Sequence, residues 1–178
     1  KRSKGLIWSY RNMTIVEICQ EMGYLSKHTV EIGILAIDKS LTGEDGKTSI
    51  LEYAIYNEFG TSSIPARPFM RNAFDSNKEY IGNLIKTAVA DVAKGSIKGK
   101  PALMRVGETI RGLVIQSIAT AQTWATPNNP KTLKIKTKNG QANNTKPIID
   151  NRFLIKSIRY QIVNENGTIE YLSDFKDV

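Results

Sequence analysis

The hydrophobic pattern of this chain changes period along its length, and that change constrains the fold more than any other feature. Between Ser76 and Ala121, mostly apolar residues recur with helical periodicity: Tyr80, Ile81, Leu84, Ile85, Ala88 and Val92, then Leu103, Val106, Ile110, Leu113, Ser117 and Ala121. Such a stripe belongs to a helix that buries one face. Gly95 and the short basic link Ser96–Lys100 divide the run, which predicts two helices over 76–94 and 101–122, packed as a pair or across one sheet. Ser76-Asn-Lys-Glu79 has capping-box spacing for the first, and Pro101 suits the first position of the second. Near the C-terminus the period falls to two. Ile158, Tyr160 and Ile162 alternate with Arg159 and Gln161, and Asn166-Gly167 precedes Ile169 and Tyr171, which predicts a hairpin over Ile158–Leu172.

The other segments fit around this frame. Ile7, Arg11, Ile15, Ile18, Cys19 and Met22 mark a helix from Lys4 to Met22 with a cap at Gly23. Thr29–Ile37 is β-branched and partly alternating, hence a strand, whereas Ile50–Phe59 fits either a strand or a helix. The expected architecture is α+β, a small antiparallel sheet packed against two or three helices, with residues 1–24 as an N-terminal helix and 25–178 as one domain. Residues 126–147, rich in Asn, Pro, Lys and Thr, read as a long loop or mobile arm. The expected core comprises Ile81, Leu84, Ile85, Ala88, Val92, Leu103, Val106, Ile110 and Leu113.

Composition narrows the chemistry. One cysteine, Cys19, and one histidine, His28, exclude an internal disulfide and a protein-only Cys/His zinc site. Cys19 lies on the apolar helical face and reads as a buried thiol; His28, between helix and strand, reads as a solvated turn residue. Gly95-Ser-Ile-Lys-Gly-Lys-Pro101 lacks the spacing and hydroxyl of a phosphate-binding loop. Glu44/Asp45 and Asp174/Asp177 lie in turns or the tail, where nothing separates their pKa values. The chain therefore reads as a non-enzyme without cofactor or metal, and no apolar run approaches the ~18 residues of a membrane helix. Its net charge of +8 is concentrated: residues 93–149 hold ten basic side chains against Glu108 alone. Trp124 is the one aromatic in that span, so a solvated face or protein docking surface is favoured over base stacking. Contact with the DNA backbone through residues 94–146 is the alternative.

Two stretches are specific. In Tyr53-Ala-Ile-Tyr-Asn-Glu-Phe-Gly-Thr61 followed by Ile64-Pro-Ala-Arg-Pro-Phe-Met-Arg71, Gly60 permits a reversal, and Pro65 and Pro68 hold Ala66–Arg67 extended. On one reading Arg67 projects from a stiff ledge beside Phe69, a form suited to an interface. On the other, Phe59 and Phe69 anchor the core, Arg67 caps or pairs with Glu58, and the prolines merely shape a crossover. The first reading makes Glu58, Phe59, Gly60, Thr61, Pro65, Ala66, Arg67, Pro68, Phe69 and Arg71 interface residues, joined by Trp124, Lys131, Lys134 and Lys136 of the basic span.

The first stretch resembles the tail-component family of long-tailed phages, in which Glu-Phe-Gly-Thr is followed by Ile-Pro-Ala-Arg-Pro-Phe and a helix. The second, Trp124-x-x-Pro127, Thr132-Leu133, Lys136, Lys146-Pro-Ile-Ile-Asp150 and Leu154-x-x-Ser157-Ile158-x-Tyr160, is similar to phage virion-morphogenesis or tail-completion proteins, with Asp150-Asn-Arg152 where those show Asp-Thr-Gly. The resemblance spans roughly residues 29–163 and leaves the N-terminal helix outside. It implies a structural neck or tail-completion protein of a tailed phage or tail-like particle, assembled in the host cytoplasm. Its partners would be copies of itself in a ring, the head-completion or adaptor ring, and the tail terminator or tail tube. DNA would pass through without specific binding, and no membrane is involved. Six copies match the symmetry of a tail and twelve that of a portal; six is the expectation.

Overall fold

The computed structural model describes residues 13–38, 41–42, 48–138, 146–148 and 153–175. Helix α1 (Ile15–Ser26) opens on Thr14, whose hydroxyl accepts from Glu17 N at 3.3 Å while the Glu17 carboxylate accepts from Thr14 N at 2.7 Å. This capping box replaces two backbone partners that a helix start lacks. Gly23 lies inside the helix rather than capping it, and residues 4–12 of the expected helix are outside the described residues. The buried thiol is also corrected. Cys19 is exposed, because α1 turns Ile18 toward Gly95 and Met22 and Leu25 toward the core.

Strand β1 (His28–Gly33) is shorter than the expected Thr29–Ile37. It stops where its partner begins, at the pair Gly33 and Arg159, and Ala36–Asp38 forms a 3-10 turn instead. The ambiguous 50–59 segment is helix α2 (Ile50–Phe59), so it contributes no strand. A capping box decides it: Ser49 Oγ accepts from Glu52 N at 3.1 Å, and the Glu52 carboxylate accepts from Ser49 N at 3.2 Å.

Next come α3 (Phe69–Ser76), α4 (Lys78–Ala93) and α5 (Gly99–Ala119). The box expected at Ser76–Glu79 does not form. Ser76 ends α3, and Asn77 turns its amide back to Ala73 O at 2.8 Å. Pro101 occupies the third rather than the first position of α5. The short helix α6 (Ala121–Trp124) leads to α7 (Pro130–Lys138), a helix inside the expected loop, and α8 (Phe153–Ser157) precedes the sheet.

Strands β2 (Arg159–Asn164) and β3 (Ile169–Leu172) form the expected hairpin, and the sheet order is β1-β2-β3 with both pairs antiparallel. Asn164 Oδ1 accepts from Asn166 N and Thr168 N, both at 3.0 Å, and fixes the turn. The fold class is thus α+β, a three-stranded antiparallel sheet packed on helices.

Helix α5 is the spine. Val106 and Ile110 of its N-terminal and central turns meet Ile81, Ala88 and Val92 of α4, while Val114 and Ile118 toward its C-terminus meet Phe69, Ala73, Leu154 and Ile158. Gly107 admits the Tyr160 ring of β2 against the helix backbone, a space that any side chain at 107 would fill. Leu84, Leu103 and Leu113 are half-buried, and Ile85 is 45% exposed rather than core. The seam between α4 and α5 centres on Ile81, Ala88 and Val92, which leaves Ile85 and Val89 on its margin. Among the described residues no helix is long and apolar enough to cross a membrane.

Candidate functional site

The segment from Glu58 to Arg71 has two faces. On the outer one, Ile55, Tyr56 and Phe59 of α2 are exposed by 44%, 40% and 68%. The Arg71 guanidinium stands over the Phe59 ring, 5.6 Å from its centroid. It is held there by Glu58, whose side chain is nearly buried: Arg71 Nε donates to Oε1 at 3.2 Å and Nη2 to Glu58 O at 2.9 Å. The same carboxylate accepts from Met70 N at 2.9 Å and Arg71 N at 3.2 Å, and so caps α3, where Pro68 has no side chain able to do so. Glu58 therefore fastens α2 to α3 and orients the exposed arginine and aromatic ring.

Behind this ridge the chain reverses tightly. Gly60 has φ +75°, and a Cβ there would lie 2.8 Å from Ala66 N, so the approach requires glycine. Thr61 Oγ1 accepts from Ser63 N at 3.2 Å and Ile64 N at 3.0 Å. Pro65 and Ala66 are exposed.

Neither sequence reading of Arg67 survives. Arg67 is buried, 7% exposed, and does not project; nor does it pair with Glu58. Pro68, with φ −74° and ψ 75°, forms an inverse γ-turn closed by Phe69 N donating to Arg67 O at 2.8 Å. That turn carries Arg67 and Phe69 inward together. Phe69 joins the core as the second reading had it, whereas Phe59 does not. Arg67 Nε donates to Thr126 O at 2.8 Å, and Nη2 to Pro127 O at 3.1 Å and Asn128 Oδ1 at 3.3 Å. Burial lowers the Arg67 pKa from its ordinary value, while nearby Tyr53 acts in the opposite sense. The side chain lines a cleft of about 430 Å³ between α2, the 63–67 segment and residues 126–132.

The remaining expected residues separate. Trp124 packs against the core, with Nε1 donating to Ser117 O at 3.0 Å. Lys131 and Lys134 are exposed on α7, which also carries Lys136, and Asp150-Asn-Arg152 lies outside the described residues. Sequence reasoning missed Tyr53, Asn57, Thr126, Pro127 and Asn128 of the cleft, since no local pattern announces a backbone carbonyl as a partner.

His28 is not a solvated turn residue. Its side chain is 8% exposed, stacked on Tyr24 with ring centroids 3.6 Å apart, and Nε2 lies 3.0 Å from Glu170 Oε1. The Tyr24 hydroxyl donates to Glu170 Oε2 at 2.9 Å. Burial and then Glu170 push the Tyr24 pKa up to about 12, and the imidazole and that hydroxyl hold the Glu170 carboxyl below the usual carboxylate range. Among the described residues no group of three or more His, Cys, Asp or Glu is placed to hold a metal ion. Compared with family models, curated proteins and solved structures, the chain gives no match.

Proposed function

We propose that this chain is a non-catalytic structural subunit of a phage neck or tail end, a tail-completion protein whose copies close into a ring between the head-completion layer and the tail. The observation that carries this reading is the outer ridge: an exposed Phe59 under a restrained Arg71, beside Ile55 and Tyr56. Aromatic residues and arginine are the side chains most enriched at binding hot spots, and an arginine already held by Glu58 loses little freedom on docking. In a ring each subunit presents this patch to a different surface of its neighbour, so one weakened contact is repeated around the whole assembly. The resemblance of the Glu58–Arg71 stretch to phage tail components supports the same role.

The test is head–tail joining in mixed lysates. Phe59→Asp places a charge in the patch without touching the core; the reading expects a folded subunit and free heads and tails. Normal yields of joined particles would contradict it. The exposure of Lys131 and Lys134 on α7 supports a second reading, in which this basic face meets the DNA backbone. That contact would weaken steeply as salt rises, whereas a ring built on the ridge would persist.

A further inference from the structure

The described residues bury three arginines, and their partners differ. Arg111, 4% exposed, contacts the Glu108 carboxylate at 3.3 Å, and Arg159, 8% exposed, contacts Asp38 at 2.8 Å. Arg67, 7% exposed, has only neutral oxygens: two backbone carbonyls and one amide. Its Nε and Nη2 are committed to them, and among the described residues Nη1 has no acceptor. Burying a guanidinium with neutral partners leaves part of its charge uncompensated. The group also lines an open cleft of about 430 Å³, within the size range of ligand sites.

We propose that this cleft is a receptor for a carboxylate, brought by a free small acid or by the acidic side chain of a partner peptide. Among the described residues Arg67 is the one charged residue lining the cleft; the others are neutral, with hydroxyls from Ser63 and Thr132, an amide from Asn129 and apolar surface from Ile64 and Pro127. One positive charge matches a monoanion. A phosphate dianion would leave a negative charge without a partner, so carboxylates are selected over phosphates. The hydrocarbon of an acidic side chain would lie against Ile64 and Pro127 while its oxygens meet Nη1 and the hydroxyls. This inference does not depend on ring assembly, since the ridge and the cleft use different side chains.

The probes are acetate, N-acetylglutamate N-methylamide, its glutamine counterpart and inorganic phosphate, measured by calorimetry and thermal shift on the whole chain. The glutamate probe binds, and its neutral counterpart is about tenfold to a hundredfold weaker. Phosphate is weaker than the glutamate probe. Acetate binding as tightly as blocked glutamate identifies a free acid as the source; tighter binding of blocked glutamate identifies a peptide. Thr132→Trp, at an exposed rim position, blocks binding without lowering the melting temperature, so the test does not rest on an Arg67 variant that fails to fold. Asp150, outside the described residues, follows Ile148 of the cleft wall by two positions in the sequence, so the test includes Asp150→Asn. Asp150→Asn and the native chain should bind the glutamate probe equally. The proposal is overturned by no binding at millimolar acid, by phosphate binding as tightly, by binding that survives Thr132→Trp, or by binding seen only in Asp150→Asn.

Discussion

Arg67 and Arg71 lie four residues apart in one motif and have opposite fates. Arg71 is half-exposed, charge-paired and stacked on an aromatic ring at the surface. Arg67 is buried among carbonyls at the floor of a cleft. The difference comes from what surrounds each residue. Glu58 offers its carboxylate at the start of α3, where Arg71 can reach it, and the inverse γ-turn at Pro68 rotates Arg67 away from the same group. The lesson is that a proline pair stiffens a segment without deciding which way its side chains face. Removing the outer arginine or its aromatic partner should alter recognition, while removing the inner one should alter the fold.

Substitutions on the two faces put this contrast at risk. The largest loss is expected for Arg67→Ala, which leaves the carbonyls of Thr126 and Pro127 without their donor and opens space in the cleft wall. A cost of about 3 kcal/mol in chemical denaturation is expected. A cost below about 0.5 kcal/mol, the range of ordinary surface changes, would place Arg67 at the surface after all. Glu58→Ala should follow at about 2 kcal/mol, since it removes an α3 cap and the anchor of Arg71 together. Its double-mutant cycle with Arg71→Ala should show coupling, and none should appear between Glu58 and Arg67.

The corner formed by Tyr24, His28 and Glu170 belongs to neither face and supplies a control. The folded-state pKa of Glu170 is depressed, so its contribution is present above the unfolded carboxylate pKa and is lost as pH falls through the lowered folded value. That acid loss should be the same in the native chain, Arg67→Ala and Phe59→Ala, and absent in Glu170→Gln. Phe59→Ala should change stability least, by about 0.5 kcal/mol or less, because the ring is mostly in solvent.

The sequence made the helical spine and the C-terminal hairpin readable because each repeats one signal many times. A stripe of apolar residues on α4 and α5 survives the loss of Ile85 to the surface, and Asn166-Gly167 sits between two alternating runs. Helix α2 was not legible from the mixed pattern of 50–59, which fits a strand as well; the capping box at Ser49 and Glu52 decides it in the structure. Helix α7 gave no comparable warning: Pro130–Lys138 has few apolar residues, and its lysines resemble those of a solvated loop. The candidate site was half legible. Glu58, Phe59 and Arg71 are close in sequence and meet through adjacent helices, whereas the cleft joins Arg67 to carbonyls some sixty residues away, as the pairing with Thr126 and Pro127 shows. Charge count misled in the same way, because burial and partners rather than type distinguish Arg67 from Arg71.

Native mass measured across a concentration series, for the unmodified chain and Phe59→Asp side by side, tests the claim that the outer ridge is a subunit contact. A subunit contact through the ridge is expected to give a closed species at a fixed multiple of 19.8 kDa, six-fold by the symmetry of a tail, formed alone or on added tail tubes. Phe59→Asp should stay at about 19.8 kDa with an unchanged melting temperature. A native chain that remains at 19.8 kDa under every condition, or a Phe59→Asp variant that assembles as the native chain does, would contradict it.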